Sequence, residues 1–151
     1  MNEPSFWIDK EGRWFFQGEE ITHRRTYLLY ARNLTQDEQG RLLLRLGQEE
    51  CRVEAEDAPY VVKTLDFTCP DGGDPRHIDL LLNDETREPL EPATLKVGKD
   101  NILYCRVRGG IFAARFSRGA YQLLFPLIRH DEKGKRFFLL LDGKEYDLRV
   151  S

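Results

Sequence analysis

The chain of 151 residues contains three cysteines, three histidines and one methionine. Cys51, Cys69 and Cys105 are odd in number and form no Cys-x-x-Cys. That spacing excludes a disulfide framework and a zinc site built on paired thiols. Cys51 and Cys105 alternate with apolar neighbours and read as small buried strand residues, leaving Cys69 as the exposed thiol. His23, His77 and His130 stand in three separate segments, without the i, i+4 pairing of a metal site. They read as surface or helix-end residues, and no metal or cofactor is expected. Long apolar runs are missing as well. The longest, Phe137 to Leu141, is five residues, where a membrane span takes about 20. The opening Met1-Asn2-Glu3-Pro4-Ser5 has neither a basic nor an apolar leader segment. The expected location is therefore the cytoplasm, without membrane attachment.

Catalytic fingerprints are equally scarce. No Gly-x-Ser-x-Gly elbow, Walker loop or dinucleotide fingerprint occurs. The Asp71-Gly72-Gly73-Asp74 loop lacks the alternating ligand spacing of a calcium loop. No catalytic residue is nominated, and an enzyme is the less favoured expectation.

What is present describes a globular chain with a heavily solvated surface: 40% hydrophobic and 32% charged residues. The length suits one domain with a single core. The net charge of −3 is unevenly spread. Residues 1–101 carry 13 basic and 21 acidic side chains, and residues 102–151 carry 10 basic and 5 acidic. Such asymmetry fits an anionic partner for the basic half, or attraction between the halves.

Turn residues and periodicity predict an α+β, mostly β fold. Trp14 to Gln17 reads as a strand between Gly12 and Gly18, with a short return at Glu19-Glu20-Ile21. Thr22 then caps a helix over 22–35 whose stripe is Tyr27, Leu28, Ala31 and Leu34. Asp37-Glu38-Gln39-Gly40 ends it, and a hairpin follows over 41–55. Strands Tyr60–Cys69, His77–Leu82 and Ala93–Val97 come next, around a polar Asn83–Pro92 loop. Ile102–Arg108 and Ile111–Arg115 form a hairpin on Gly109-Gly110. Ser117 caps a second helix with stripe Ala120, Leu123, Leu124, Leu127 and Ile128, which Pro126 must stop near Phe125. Asp131-Glu132-Lys133-Gly134 follows it, and a last hairpin turns on Asp142-Gly143.

A shift of 94 aligns the two halves. It pairs Arg24 with Arg118, Tyr27 with Tyr121, Leu29 with Leu123, Asp37 with Asp131, Glu38 with Glu132, Gly40 with Gly134 and Leu46 with Leu140. A duplicated hairpin–helix–hairpin unit is therefore expected, about 6–56 and 102–150. Bridging strands at about 60–97 would join the copies in a single compact domain, 1–151.

Two constellations could bind a partner. Tyr104, Arg106 and Arg108 alternate along one strand, as aromatics and arginines do on sheets that hold single-stranded nucleic acid. The acidic balance of the whole chain makes nucleic acid an unlikely partner. Arg24 and Arg118 each open a helix, where the macrodipole disfavours a cation. Such placement suits an anion or a buried carboxylate, with Asp57 as a candidate partner.

In its order of motifs the chain resembles a bacterial family catalogued as domain of unknown function 1285. The resemblance rests on Ile8-Asp9 with Gly12-Arg13-Trp14, on Ile21-Thr22-His23-Arg24, on Val53-Glu54-Ala55-Glu56-Asp57-Ala58-Pro59-Tyr60, and on Arg108-Gly109-Gly110-Ile111 with Arg118 and Tyr121. It departs at the last hairpin, where Leu141-Asp142-Gly143-Lys144 replaces a Ser-containing approach. The resemblance implies a mostly β, α+β fold with repeated motifs, no established catalysis, and a part in signal transduction by analogy. Together these readings point to a binding or regulatory module for an anionic small molecule or a protein partner. Its expected site is a cleft between the two units lined by Arg24, Arg118, Asp57 and Tyr121. The alternatives are an enzyme on a small anionic substrate, with Asp57 or a histidine as base, and a weak nucleic-acid binder.

Overall fold

The computed structural model describes residues 5–150; the reading of a missing leader rests largely on residues 1–4, outside that range. The fold is α+β and mostly β, with two helices. The chain forms two compact units, Met1–Pro59 and Tyr60–Ser151.

In the first unit, β1 (Phe6–Ile8), β2 (Trp14–Phe16) and β3 (Glu19–Glu20) precede helix α1 (Arg24–Arg32). Then come β4 (Leu34–Gln36), β5 (Leu42–Leu46) and β6 (Glu49–Ala55). They join as one sheet in the order β3-β2-β1-β6-β5-β4. Its centre is the parallel pair β1–β6, in register Phe6 with Val53. Phe6, Ile8, Trp14, Leu28, Ala31, Leu44 and Val53 are buried. Tyr30 of α1 meets the rings of Phe6 at 5.2 Å and Trp14 at 6.1 Å, close enough for edge-on aromatic contacts.

Helix α1 is shorter than its periodicity predicts. His23, not Thr22, occupies the N-cap position and makes no side-chain capping bond there; its Nδ1 lies 2.9 Å from Thr26 Oγ1. At the other end the Asn33 side-chain amide donates to the Leu29 carbonyl at 2.6 Å, taking up an acceptor that a further turn would have used. Leu34 is buried as its spacing implied, but as the first residue of β4. The Asp37–Gly40 segment is accordingly the tip of the β4–β5 hairpin, not a helix stop. Gly40 has the expected left-handed φ of +83°.

Two hairpin tips of this unit, β1–β2 and β4–β5, share one construction. Asp9 and Asp37 each donate their N–H to the carbonyl of the arginine four residues on, Arg13 and Arg41, at 2.9 and 3.0 Å. The Oδ1 of each accepts the backbone N–H groups at +2 and +4. The Oδ2 accepts that same arginine's Nε, at 2.7 Å for Asp9 and 2.8 Å for Asp37. A short acidic side chain that binds its own backbone is the standard way to hold such a turn.

The second unit contains β7 (Tyr60–Asp66), β8 (Asp79–Leu82), β9 (Arg87–Pro89), β10 (Lys96–Val97), β11 (Leu103–Val107) and β12 (Phe112–Phe116). Helix α2 (Arg118–Leu124) follows, then β13 (Ile128–His130), β14 (Phe137–Leu141), β15 (Lys144–Asp147) and β16 (Arg149–Val150). Seven strands pair in the order β16-β10-β11-β12-β7-β8-β9, and β13-β14-β15 form a separate meander. The core holds Val61, Val62, Leu80, Leu82, Leu103, Val107, Ala114, Leu124 and Leu139. Strand β9 is unexpected from sequence, because its Arg-Glu-Pro carries no apolar alternation.

The start and the stop of α2 fall where the sequence places them. Ser117 Oγ accepts the Ala120 N–H at 3.1 Å. Pro126 ends the α-helix at Leu124 and turns Phe125–Leu127 into a single 3-10 turn. Two details of the expected stripe differ. Leu123 is 41% exposed, and Ile128 belongs to β13. His130 is also in β13 rather than at a helix end. Asp131–Gly134, like Asp37–Gly40, is a hairpin tip: the Asp131 N–H donates to the Arg136 carbonyl at 3.0 Å, one residue further along than in the other two tips.

Candidate functional site

Of the nominated residues, Arg24 and Asp57 belong to the first unit, and Arg118 and Tyr121 to the second. Arg24 is exposed in the first turn of α1, and Asp57 is exposed in the bend after β6. Arg118 opens α2, and Tyr121 lies one turn later on the same face, as positions i and i+3 do in a helix. The structure thus brings Arg118 and Tyr121 together.

Tyr121 lines a pocket of about 360 Å³. Helix α2 and the turn that Pro126 imposes supply Tyr121, Leu124 and Phe125, with Tyr121 and Phe125 ring centroids 5.7 Å apart. The strands add Val97, Leu103, Ile128, Phe137 and Val150, and Leu148 and Asn101 complete the wall. Among the described residues no charged one lines it. Several of these apolar side chains remain open to solvent: Phe125 is 59% and Phe137 50% exposed. A concave apolar surface with few polar groups is the usual form of a ligand site, and the volume sits at the low end of the ~300–1,000 Å³ range. Arg118 makes no hydrogen bond or ion pair among the described residues, so its guanidinium is available one turn from Tyr121.

The second hollow, of about 350 Å³, runs along one face of α1. Arg24, Arg25, Leu28, Leu29, Arg32 and Asn33 line it. Helix α1 has no acidic residue from Arg24 to Arg32.

A third constellation was only partly visible in the sequence. Asp84, fully buried between β8 and β9, accepts the Arg108 guanidinium through Oδ2. Its Oδ1 takes the N–H and the hydroxyl of Thr86, at 3.1 and 2.5 Å. Glu88 accepts the Arg108 backbone N–H at 3.0 and 3.2 Å. The guanidinium carbon of Arg108 sits 4.9 Å from the centroid of the buried Tyr60 ring, and burial pushes the Tyr60 phenol above its ordinary value. Arg108 reaches this position by leaving strand β11 with a φ of +55°. Arg106 is likewise committed, donating to the carbonyls of Gly110 and Ile111 at 3.1 and 2.9 Å. The Tyr104–Arg106–Arg108 stripe is therefore not a free basic face: its arginines close a hairpin tip and clasp a neighbouring one. The Cys105 thiol beside them is pushed up to about 12, first by burial and then by Glu88, and keeps its proton at neutral pH.

Two solved structures share this arrangement. One is a DUF1285 family protein from Silicibacter pomeroyi, with a TM-score of 0.77 at 20% identity, covering 97% of this chain and 80% of that one. The other is a DUF1285 family protein from Shewanella baltica, with a TM-score of 0.64 at 21% identity, covering 82% of this chain and 91% of that one. The fold is that of the DUF1285 proteins. The resemblance expected from the motif order is thus matched in three dimensions. At this identity the likeness carries the fold alone, because shared folds host different sites. No family model and no curated protein matches the sequence. Among the described residues no helix is long and apolar enough to cross a membrane, and no three His, Cys, Asp or Glu side chains are grouped to hold a metal.

Proposed function

We propose that the chain is a cytoplasmic binding module, regulatory rather than catalytic, and that the pocket beside α2 takes a small ligand with an apolar body and an anionic head. The supporting observation is the apolar pocket of about 360 Å³ lined by Tyr121, with Arg118, which has no side-chain partner among the described residues, one helical turn before that tyrosine. Burying an apolar chain or ring against Phe125, Phe137 and Leu124 supplies affinity. A charge-assisted bond from Arg118 selects a carboxylate over a neutral head. The Tyr121 hydroxyl adds a donor or acceptor near the same end.

The test is calorimetric titration of the full chain with octanoate and with 1-octanol. Octanoate is expected to bind at least about tenfold more tightly, equivalent to ~1.4 kcal/mol. Arg118→Gln removes that preference, and Tyr121→Ala weakens both ligands. Absence of saturable binding by either molecule sinks the reading. A second reading, docking of an apolar side chain from a partner protein, draws on the exposure of Phe125, Phe137 and Val150, since exposed apolar patches mark interaction sites. In that case Phe125→Ser abolishes association with the partner while small carboxylates stay silent.

A further inference from the structure

We infer that the ligand of the pocket beside α2 is an N-acylated amino acid, whose apolar chain fills the pocket, whose amide pairs with Asn101 and whose carboxylate reaches Arg118. This rests on the binding role proposed above for that pocket. The pocket is graded from floor to rim. Leu103 and Leu124 are buried, at 4% and 0% exposure, whereas Tyr121, Phe125 and Asn101 are exposed. A ligand therefore enters apolar end first, and its polar groups come to rest at the level of the rim, where they stay hydrated or find partners. Among the described residues two polar side chains line the pocket, Tyr121 from α2 and Asn101 from the turn between β10 and β11. A simple fatty carboxylate engages Arg118 and leaves Asn101 unused.

Asn101 is held by its backbone and not by its side chain. Asp100 and Asn101 both have a φ of +60°, the two consecutive left-handed residues of a tight hairpin turn. The Ile102 N–H donates to the Lys99 carbonyl at 3.2 Å, and the Gly98 N–H to the Ile102 carbonyl at 2.7 Å. The Tyr104 ring packs so closely on Gly98 that a side chain there would meet it at 2.8 Å. A positive φ explains why the position suits asparagine or glycine. It does not employ the amide. Turn asparagines commonly bond their own backbone, yet the Asn101 side chain makes no hydrogen bond among the described residues. A pre-positioned donor and acceptor thus stands at the rim of an apolar pocket. A secondary amide carries one acceptor and one donor and matches both atoms of the Asn101 amide. A carboxylate offers acceptors only, and the exposed Asp100 in the same turn repels it. The two polar groups of the ligand are therefore sorted: the neutral one to Asn101, the charged one to Arg118.

The full chain is titrated calorimetrically with N-octanoylglycine and with undecanoate, a carboxylate of equal chain length that carries methylenes in place of the amide. Burying an amide without a partner costs affinity, so a pocket that recognises only tail and charge favours undecanoate. The sign of the preference is what decides. Octanoylglycine is expected to bind at least about tenfold more tightly. Asn101→Gly keeps the backbone of the turn and removes the amide. It is expected to abolish the preference by weakening octanoylglycine at least about tenfold, with undecanoate changed by no more than about twofold. Arg118→Gln weakens both carboxylates alike. Equal binding of the two, tighter binding of undecanoate, or a preference for octanoylglycine that survives Asn101→Gly overturns the assignment to Asn101, while binding of undecanoate leaves the pocket its carboxylate ligand. Absence of saturable binding by both molecules overturns both readings.

Discussion

The two hollows are nearly equal in volume, about 350 and 360 Å³, and each adjoins a helix whose sequence matches the other at Arg24/Arg118, Tyr27/Tyr121 and Leu29/Leu123. Their chemistry is opposite. The one on α1 is built from a single uninterrupted helix face, so its character is that of the arginines spaced along it. The one beside α2 owes its character to an interruption. Pro126 ends the helix after two turns, leaves Phe125 outside the regular stripe, and lets Ile128 enter a strand that brings Phe137 alongside. A conserved pattern of residues between the two helices is not a conserved surface: where each helix stops decides which side chains are presented.

Stability measurements sharpen that contrast, beginning with the units' polar anchors. Asp84 and Arg108 lie 24 residues apart in sequence and join two hairpin tips, with Asp84 fully buried. Asp84→Ala strands the guanidinium against Tyr60 and is expected to cost ~3–5 kcal/mol in chemical denaturation. In the first unit Asp9 and Arg13 form a pair within one tip, and Arg13 is 53% exposed. Arg13→Ala is expected to cost under ~1 kcal/mol, because exposed pairs contribute little. Equal losses would refute the distinction between a long-range clasp and a local one.

The helices themselves come next. Leu124 is fully buried behind the pocket and Leu29 is 55% exposed beside the other hollow. Leu124→Ala should lose ~2–5 kcal/mol through the cavity it leaves, and Leu29→Ala no more than ~0.5 kcal/mol. Ser117→Ala removes the capping bond to Ala120 and should cost ~1 kcal/mol. His23→Ala, where no side chain caps the helix, should cost measurably less.

The smallest effect concerns the hairpin tips that follow the helices. Backbone hydrogen bonds, foremost that from Arg41, hold the Asp37 carboxyl below its ordinary value of 3.8. Those from Arg136, Lys135 and Gly134 do the same for Asp131. A carboxyl held low in the folded state adds stability above its ordinary value and loses it as pH falls through the lowered one. Asp37→Asn and Asp131→Asn should therefore flatten the loss of stability below about pH 4. Both variants should leave the temperature midpoint at pH 7 closer to wild type than Ser117→Ala does.

Much of this architecture was legible in the sequence, and the parts that were not share a cause. Gly40, Gly109-Gly110, Asp142-Gly143, Ser117 and Pro126 act on their immediate neighbours, and each marks a turn, a cap or a stop as expected. Leu34 misled because a residue buried by a helix stripe and one buried by a strand look alike at a single position. Strand β9 hid because pairing with β8 gives Arg-Glu-Pro its extended form. The apolar pocket draws Phe137 and Val150 to α2 from residues far along the chain, and β16 is fixed by parallel pairing with β10. The Asp84–Arg108 clasp required the order in which β7, β8 and β12 pair. Of the four nominated site residues, Arg118 and Tyr121 could be paired because helical spacing alone relates them.

The three aspartate-held tips also set an order of events. Each closes through bonds spanning at most five residues: Asp9 to Arg13, Asp37 to Arg41, and Asp131 to Arg136. Short loops lose little entropy on closure, and isolated hairpins form in roughly 1–10 μs. The parallel pairings join residues such as Phe6 with Val53 and Lys96 with Arg149, and must wait until about fifty residues of intervening chain have been gathered. Pulsed amide-exchange labelling during refolding should accordingly protect 6–16, 34–46 and 128–141 first and β10 and β16 last. The aspartates thereby serve as timing elements, giving the chain ready-made strand pairs onto which its distant ends are later laid.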